Sequence, residues 1–304
     1  MKTFDVVIIG ASIEGMTAAV YCSRKGLKTL ILDPLETSEY SSYGGLDDLK
    51  LIHRLKQQAG QYGTEFLTCT VHSIWCKHTP KIIYANEGPI RCFGLILAMG
   101  TSPQKLGVPM ESQLHGCGLN YHDSCTSSYL KGRTVAVFGK NEKAVTHSIA
   151  LSALCKEVYL IHPNGILDCP SDKVEVLKNS PNVVLLPHTL IYNVERKNKK
   201  ITGINIIDKT TGNLSRLDCE IIYVSKDDKA NSKLCFPYIL TDNKGFIITD
   251  KNHKTNIDGI YAAGGIRSTI LDENPGSCCT KNANMAATDG AIAAINVIKY
   301  IESL

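Results

Sequence analysis

The sequence predicts an α/β protein built on two nucleotide-binding units, and three observations predict it. Phe4–Ile9, Gly10–Gly15, Met16–Lys25 and Lys28–Asp33 read in turn as buried strand, glycine turn, helix and strand. That is a βαβ unit of about thirty residues. Arg133–His162 repeats the pattern, with a strand at Thr134–Phe138, a turn at Gly139, a helix at Lys143–Leu154 and a strand at Glu157–Ile161. The chain has 304 residues, room for two domains at roughly 100–200 residues each.

Each element has a local reason. Phe4–Ile9 is an almost unbroken apolar run, the pattern of a parallel strand covered on both faces. Gly26 stops the first helix. An amphipathic helix follows at about Leu46–Tyr62, then β-rich sequence to Ala98. Beyond the second unit, strands are expected at Val183–Leu186, Leu190–Glu195, Ile201–Ile207 and Glu220–Val224, then Phe246–Ile248 and Ile260–Ala263. A helix from about Ala286 to Ile301 closes the chain. Arg196-Lys197-Asn198-Lys199-Lys200 sits between two of these strands and reads as a solvated hairpin turn. No period of 20–50 residues marks a repeat architecture.

Composition narrows the function classes. Apolar residues at 43% and charged residues at 20% are ordinary globular usage and argue against disorder. The net charge is +4, without a basic stripe for nucleic acid. No apolar run approaches the ~18–20 residues that span a bilayer. The opening MKTFDVVIIG reads as a strand ending at a glycine and not as a signal peptide. Twelve cysteines fall short of a disulfide-stapled domain, so thiols in a reducing cytoplasm are expected, most of them small buried residues. No Cys-x₂-Cys or His-x₃-His spacing supports a metal site, and neither a nucleophile elbow nor a Walker loop is present.

The first turn, Gly10-Ala-Ser-Ile-Glu-Gly15, matches the dinucleotide fingerprint at its outer glycines. Gly10 permits the tight turn and Gly15 lets helix and strand approach. Ser12 takes the middle position, where backbone must meet a pyrophosphate. Asp33 ends the second strand, where an acid accepts hydrogen bonds from ribose hydroxyls. The expected cofactor contacts here are Gly10, Ser12, Ile13, Gly15 and Asp33. A unit of this type that binds nothing is the alternative.

Several segments together resemble the low-molecular-weight thioredoxin reductases, the small FAD-containing disulfide oxidoreductases. They are Leu97-Ala-Met-Gly-Thr-Ser-Pro103, Lys105-Leu-Gly-Val-Pro109, Gly116–Cys125, Lys131–Gly139, Thr255–Gly264 and Ala286–Ala294. The resemblance covers almost the whole chain in the family's order. It implies two Rossmann-like domains, the second inserted into the first, with boundaries at 1–111, 112–241 and 242–304. It also implies FAD, bound with help from Ala98, Gly100, Gly264, Gly265 and Asn282. A homodimer, a thioredoxin-like protein partner and a cytoplasmic location follow from the same likeness, with no membrane or nucleic-acid partner.

The departures from the family decide the functional expectation. Its Cys-x-x-Cys falls on His122-Asp-Ser-Cys125, which keeps only the second sulfur. A dithiol cycle through an internal disulfide cannot run there, but His122 can favour the Cys125 thiolate. Cys117 can resolve a disulfide only if its loop folds back. The second turn, Gly139-Lys-Asn-Glu-Lys-Ala144, places Asn141 where backbone should meet a pyrophosphate. His162-Pro-Asn-Gly offers no arginine for a 2′-phosphate, which disfavours NADPH although Lys140 and Lys143 stand nearby. Gly265 replaces the family's flavin aspartate, and Lys281-Asn282 only approximates its Arg-Gln pair. The segment from Asp33 to Leu46 is short, with Tyr43-Gly44-Gly45 left of a glycine-rich flavin loop. Cys278-Cys279 reads as a vicinal pair of buried thiols without a role, with a strained, easily reduced disulfide or a soft-metal trap as the alternative, and His147 reads as a surface or core residue.

The expectation is a divergent FAD-dependent thiol/disulfide oxidoreductase with Cys125 and His122 as catalytic residues. Its electrons would come from a ferredoxin-like protein donor and not from NADPH. The alternative is a catalytically silent member acting as a binding or regulatory scaffold.

Overall fold

A computed structural model describes residues 1–33, 46–114, 117–121, 127–268 and 283–304. Tyr43-Gly44-Gly45, His122, Cys125, Cys278, Cys279, Lys281 and Asn282 lie outside the described residues. The chain forms two compact units, Met1–Ser102 with Lys229–Leu304, and Pro103–Asp228.

The first unit opens with β1 (Lys2–Ile9), α1 (Ile13–Arg24), β2 (Thr29–Asp33), α2 (Leu46–Gln61) and β3 (Glu65–Thr68). A meander follows, β4 (Val71–Trp75), β5 (Lys81–Ala85) and β6 (Gly88–Leu97), then the short β7 (Thr101–Ser102). Strands β3, β2, β1 and β6 lie side by side and parallel. β6 is long enough to serve two neighbours along one edge: β5 pairs antiparallel with its first half, and the returning chain pairs with its last three residues. Val7 and Ile9 of β1 enter one core and Val6 and Ile8 the other. Strand alternation with apolar residues at both phases buries both faces.

The second unit contains β8 (Leu119–Asn120), α3 (Ser127–Leu130), β9 (Thr134–Phe138), α4 (Glu142–Ser152), β10 (Glu157–Ile161) and α5 (Ser171–Lys178). β11 (Val183–Leu186), β12 (Thr189–Lys197), β13 (Lys200–Asp208), β14 (Leu214–Leu217) and β15 (Ile221–Val224) complete it. Its parallel sheet runs β11-β10-β9-β15-β8, beside an antiparallel β12-β13-β14 sheet. The basic run is the β12–β13 hairpin turn, with Asn198 and Lys199 at φ of 51° and 60°.

The chain then returns to the first unit through β16 (Lys229–Ala230), paired with β7, and β17 (Ile260–Ala262), parallel to β6. It ends in α6 (Ala283–Glu302). The expected strand at Phe246–Ile248 is a correction. Ile247 is fully buried but makes only isolated bridges to Thr241 and Arg267. The Asp242 carboxylate accepts hydrogen bonds from the Lys244 and Phe246 amides, so a turn competes with the ladder. α5 and β14 were not anticipated, because their mostly exposed residues carry little apolar period.

Helices α1 and α6 pack closely at Gly290, where an added Cβ would stand 2.2 Å from the Glu14 carbonyl oxygen. Both atoms belong to helix backbones, so relief requires the helices to part. Gly290→Val is expected to cost about 2–4 kcal/mol, read from urea denaturation. An unchanged midpoint would refute the close approach.

Candidate functional site

The C-terminal ends of β1, β2, β6 and β17 meet at one edge of the first unit. Ile9 pairs with Leu32 on one side and Leu97 on the other, and Ala262 pairs with Leu97. The residues just past the strands therefore converge. The Gly10 N–H donates to the Leu32 carbonyl (2.8 Å) and the Ala98 N–H to the Ile9 carbonyl (2.8 Å). Ala263 N–H donates to Leu97 (3.0 Å). Gly10, Ser12, Ile13, Gly15, Asp33, Ala98 and Gly264 are thus gathered at one end of the sheet, with Gly100 and Gly265 in the adjoining turns.

Gly10 has a φ of 108°, and a Cβ there would lie 2.2 Å from the Ala98 carbonyl oxygen. A Cβ on Gly15 would lie 2.0 Å from the Gly10 carbonyl oxygen. Ser12 is the N-cap of α1 but makes no side-chain capping bond; its hydroxyl faces the Ala98 carbonyl at 3.4 Å. Asp33 is buried at the end of β2.

Behind this edge lies a buried ionic cluster that sequence reasoning missed. The Asp289 carboxylate, on α6, accepts from the Gly264 N–H (3.0 Å) and from Arg267 Nε (3.2 Å). Arg267 Nη1 donates to Thr249 Oγ1 at 2.7 Å, and His253 Nε2 stands 3.8 Å from Asp289 Oδ1. Asp289, Arg267 and His253 are all buried. α6 thereby holds the Gly264-Gly265 turn in place. Glu14 is buried beside the same turn, and burial pushes its carboxyl up to about 7. The available signal was an acid immediately before a glycine in each of two stretches, Ile13-Glu14-Gly15 and Thr288-Asp289-Gly290.

The second turn is built differently. Asn141 caps α4, its Oδ1 accepting from the Ala144 N–H at 3.0 Å. Its Nδ2 donates to Asp227 Oδ1 at 2.7 Å. Lys140 is paired with Asp168 at 2.5 Å, and the Asp168 N–H donates back to the Lys140 carbonyl (2.7 Å). Glu142 is paired with Lys173. The helix N-terminus is closed by its own side chain and ringed by Asp168, Asp227 and Glu142. At the end of β10, His162 is buried; burial lowers its pKa, and its Nδ1 has no partner among the described residues. A neutral imidazole there provides no positive fork. His147 packs edge-on against Tyr223, with ring centroids 4.4 Å apart, as a packing residue.

Nine cysteines are described, all of them free, and only Cys117 and Cys169 among them are partly exposed. Burial pushes the thiols of Cys22, Cys92, Cys219 and Cys235 up to about 12, which makes them inert as nucleophiles. Iodoacetamide at pH 8 is expected to leave these four unmodified in the native protein and to label them in denaturant. Native labelling of any of the four, read by peptide mass spectrometry, would contradict the burial. Among the described residues, no group of three His, Cys, Asp or Glu can hold a metal, and no helix is long and apolar enough to cross a membrane.

Comparison with known proteins agrees with this geometry. Residues 4–290 match the family model described as pyridine nucleotide-disulphide oxidoreductase. A thioredoxin reductase of Bacillus subtilis is 27% identical over 313 residues, covering 100% of this chain and 96% of that protein. The 34.2 kDa protein in the rubredoxin operon of Clostridium pasteurianum is 28% identical over 314 residues, covering 99% of this chain and 98% of that one. The crystal structure of thioredoxin reductase from Streptococcus pyogenes aligns with a TM-score of 0.81 at 23% identity, covering 99% of each chain. The fold is that of two Rossmann-like domains. A match running from the first strand into the last helix leaves one conclusion: the chain belongs to the pyridine nucleotide-disulphide oxidoreductase family, on its low-molecular-weight thioredoxin reductase branch.

Proposed function

We propose that this chain is a flavin-dependent oxidoreductase that binds FAD at its first turn and receives electrons from a protein donor, not from NADPH. The contrast between the two helix N-termini carries the reading. α1 begins at an N-cap whose side chain leaves the backbone amides without a cap bond, and α4 begins at one that Asn141 closes. An open helix N-terminus with a close-approach glycine turn is a site for phosphate. A self-capped one, whose cap side chain is held by Asp227 and whose neighbours Lys140 and Lys173 are already paired with Asp168 and Glu142, offers it less.

The residues of the first turn fit FAD. Gly10 and Gly15 let the strand, turn and helix backbones approach more closely than any Cβ allows, which is the role of the fingerprint's outer glycines, and the amides of Ser12, Ile13 and Gly15 stand at the positive end of α1. Asp33 is positioned to accept from ribose hydroxyls, and Ala98, Gly100, Gly264 and Gly265 border the same edge. Bound FAD supplies the electron transfer. Cys125 is assigned the thiol that meets the substrate, and His122 the imidazole that holds it as thiolate. The relative in a rubredoxin operon supports a small redox protein as donor or partner. A cytoplasmic homodimer is part of the same reading.

The test is an anaerobic titration of FAD-loaded protein. Reduced ferredoxin is expected to bleach the flavin band, and a tenfold excess of NADPH to leave it unchanged. Bleaching by stoichiometric NADPH would overturn the donor assignment. Gly265, at the position of the family's flavin aspartate, favours a second reading, a catalytically silent scaffold; colourless protein that ignores added FAD would establish it instead.

A further inference from the structure

We infer that the first unit carries an oxyanion site where β17 begins, a cleft in which the buried Lys81 ammonium and the Tyr300 hydroxyl receive a phosphate-sized polyvalent anion. The site stands whether or not FAD binds at the first turn.

The cleft has a volume of about 480 Å³ and lies between the β4–β5 hairpin, the loop before β17 and the last turn of α6. Lys81 opens β5 opposite Cys92 of β6, and β17 starts opposite Leu95. The dinucleotide turn is at the other end of β17. It stands roughly 13 Å further along β6, counted from Phe93 to Leu97 at about 3.3 Å per residue.

Lys81 is only 1% exposed, yet no carboxylate among the described residues pairs with it. Its Nζ donates to the Phe93 carbonyl at 3.2 Å and to Thr79 Oγ1 at 3.3 Å, and the Tyr300 ring centroid is 5.4 Å away. Neutral acceptors satisfy hydrogen bonds but leave the charge uncompensated, and a buried charge without a counter-ion is costly. An ammonium has three protons, so one N–H remains after these two bonds. Thr79 Oγ1 accepts from Lys81 and stands 3.2 Å from the Tyr300 hydroxyl oxygen, to which it gives its own proton. Tyr300 then accepts and keeps its O–H for the cleft, since no other described group takes it. Gly259 closes over the pair: a Cβ there would lie 2.4 Å from the Tyr300 ring and 2.9 Å from Lys81 Nζ.

The rest of the lining sets the charge of the ligand. Lys77 and His78 line the same cleft, so a second ammonium and a ring nitrogen are within the site. Asp258 is the acid among the lining residues. Its side chain is 79% exposed and paired with Lys254 at 2.7 Å, so its charge is met outside the cleft. Two ammoniums with a hydroxyl donor between hairpin and helix suit an anion with several acceptor oxygens and more than one negative charge. A monovalent carboxylate would match one of them.

The experiment is calorimetric titration with inorganic phosphate at constant ionic strength, for the parent, Lys81→Met, Tyr300→Phe and Asp258→Asn, with acetate as the monovalent comparison. The parent is expected to bind phosphate saturably, and more tightly than acetate. Lys81→Met keeps the buried volume without the charge and should weaken binding at least about tenfold. Tyr300→Phe keeps the ring and loses the donor, for a loss of about threefold. Asp258→Asn removes the one acid and should tighten binding about threefold. Should Lys81→Met fail to fold, the opposite signs of the other two variants decide. Phosphate held at the first turn instead would be indifferent to all three substitutions, and that result overturns the inference. So does the absence of saturable phosphate binding by the parent, or acetate binding as tightly as phosphate.

Discussion

Asp289→Ala is expected to lower folding stability by about 3–5 kcal/mol, the range for removing one member of a buried ion pair. The carboxylate accepts from Arg267 Nε at 3.2 Å and from the Gly264 N–H at 3.0 Å, with His253 Nε2 at 3.8 Å. Alanine leaves a buried guanidinium facing no carboxylate there and removes the acceptor that fixes the turn after β17. Both groups lie too deep for water to substitute freely. Replacing the pair together, as Asp289→Leu with Arg267→Met, is expected to recover part of the loss, because neither charge is then buried. Urea denaturation of the single and double variants measures this. A single-variant loss under 1 kcal/mol would mean that the cluster is solvated.

The second large effect falls on binding. Gly10→Ala is expected to weaken FAD binding at least ~100-fold, about 2.8 kcal/mol at tenfold per 1.4 kcal/mol. Gly10 lies at a φ of 108°, where an L-residue is strained, and the new Cβ would meet the Ala98 carbonyl oxygen at 2.2 Å and its carbon at 2.7 Å. Those atoms directly follow β6, which is locked to β1 along the register from Lys2↔Ile90 to Ile9↔Leu97, and the Ala98 N–H extends that ladder to the Ile9 carbonyl. The turn must move instead, and the turn is where the phosphates are placed. Asp33→Asn, by contrast, removes only the charge of one ribose acceptor and should cost roughly tenfold. Fluorescence quenching of FAD ranks the two variants, and equal losses would argue against the tight turn as the critical element.

The first nucleotide unit was legible because its signal is local. A run of β-strand residues, two glycines five apart and an acid at the next strand end lie within 33 residues and need no tertiary information. β9, β10 and β11 are found at the expected residues for the same reason. Asn141 was readable as a misfit in the second turn. Its closure by Asp227 and Asp168 was not, since both come from other loops. The Asp289–Arg267–Thr249 cluster joins α6 to two loops near the chain's end, and no spacing rule links such residues. Glu14 was in plain view within the fingerprint, but its raised carboxyl pKa depends on burial against Gly264 and on Asp289, which only the fold brings to it. Phe246–Ile248 misled because a single buried Ile247 between polar turns carries the apolar signal of a strand without its neighbours.

The central claim is that one dinucleotide turn is open and the other closed. Calorimetry of the ligand-free protein at pH 6.5, titrated separately with FAD and with NADPH, tests it most directly. Saturable heat for about one FAD per chain, with none for NADPH up to millimolar concentration, is the predicted result. Saturable NADPH binding, or no binding of FAD, would contradict it.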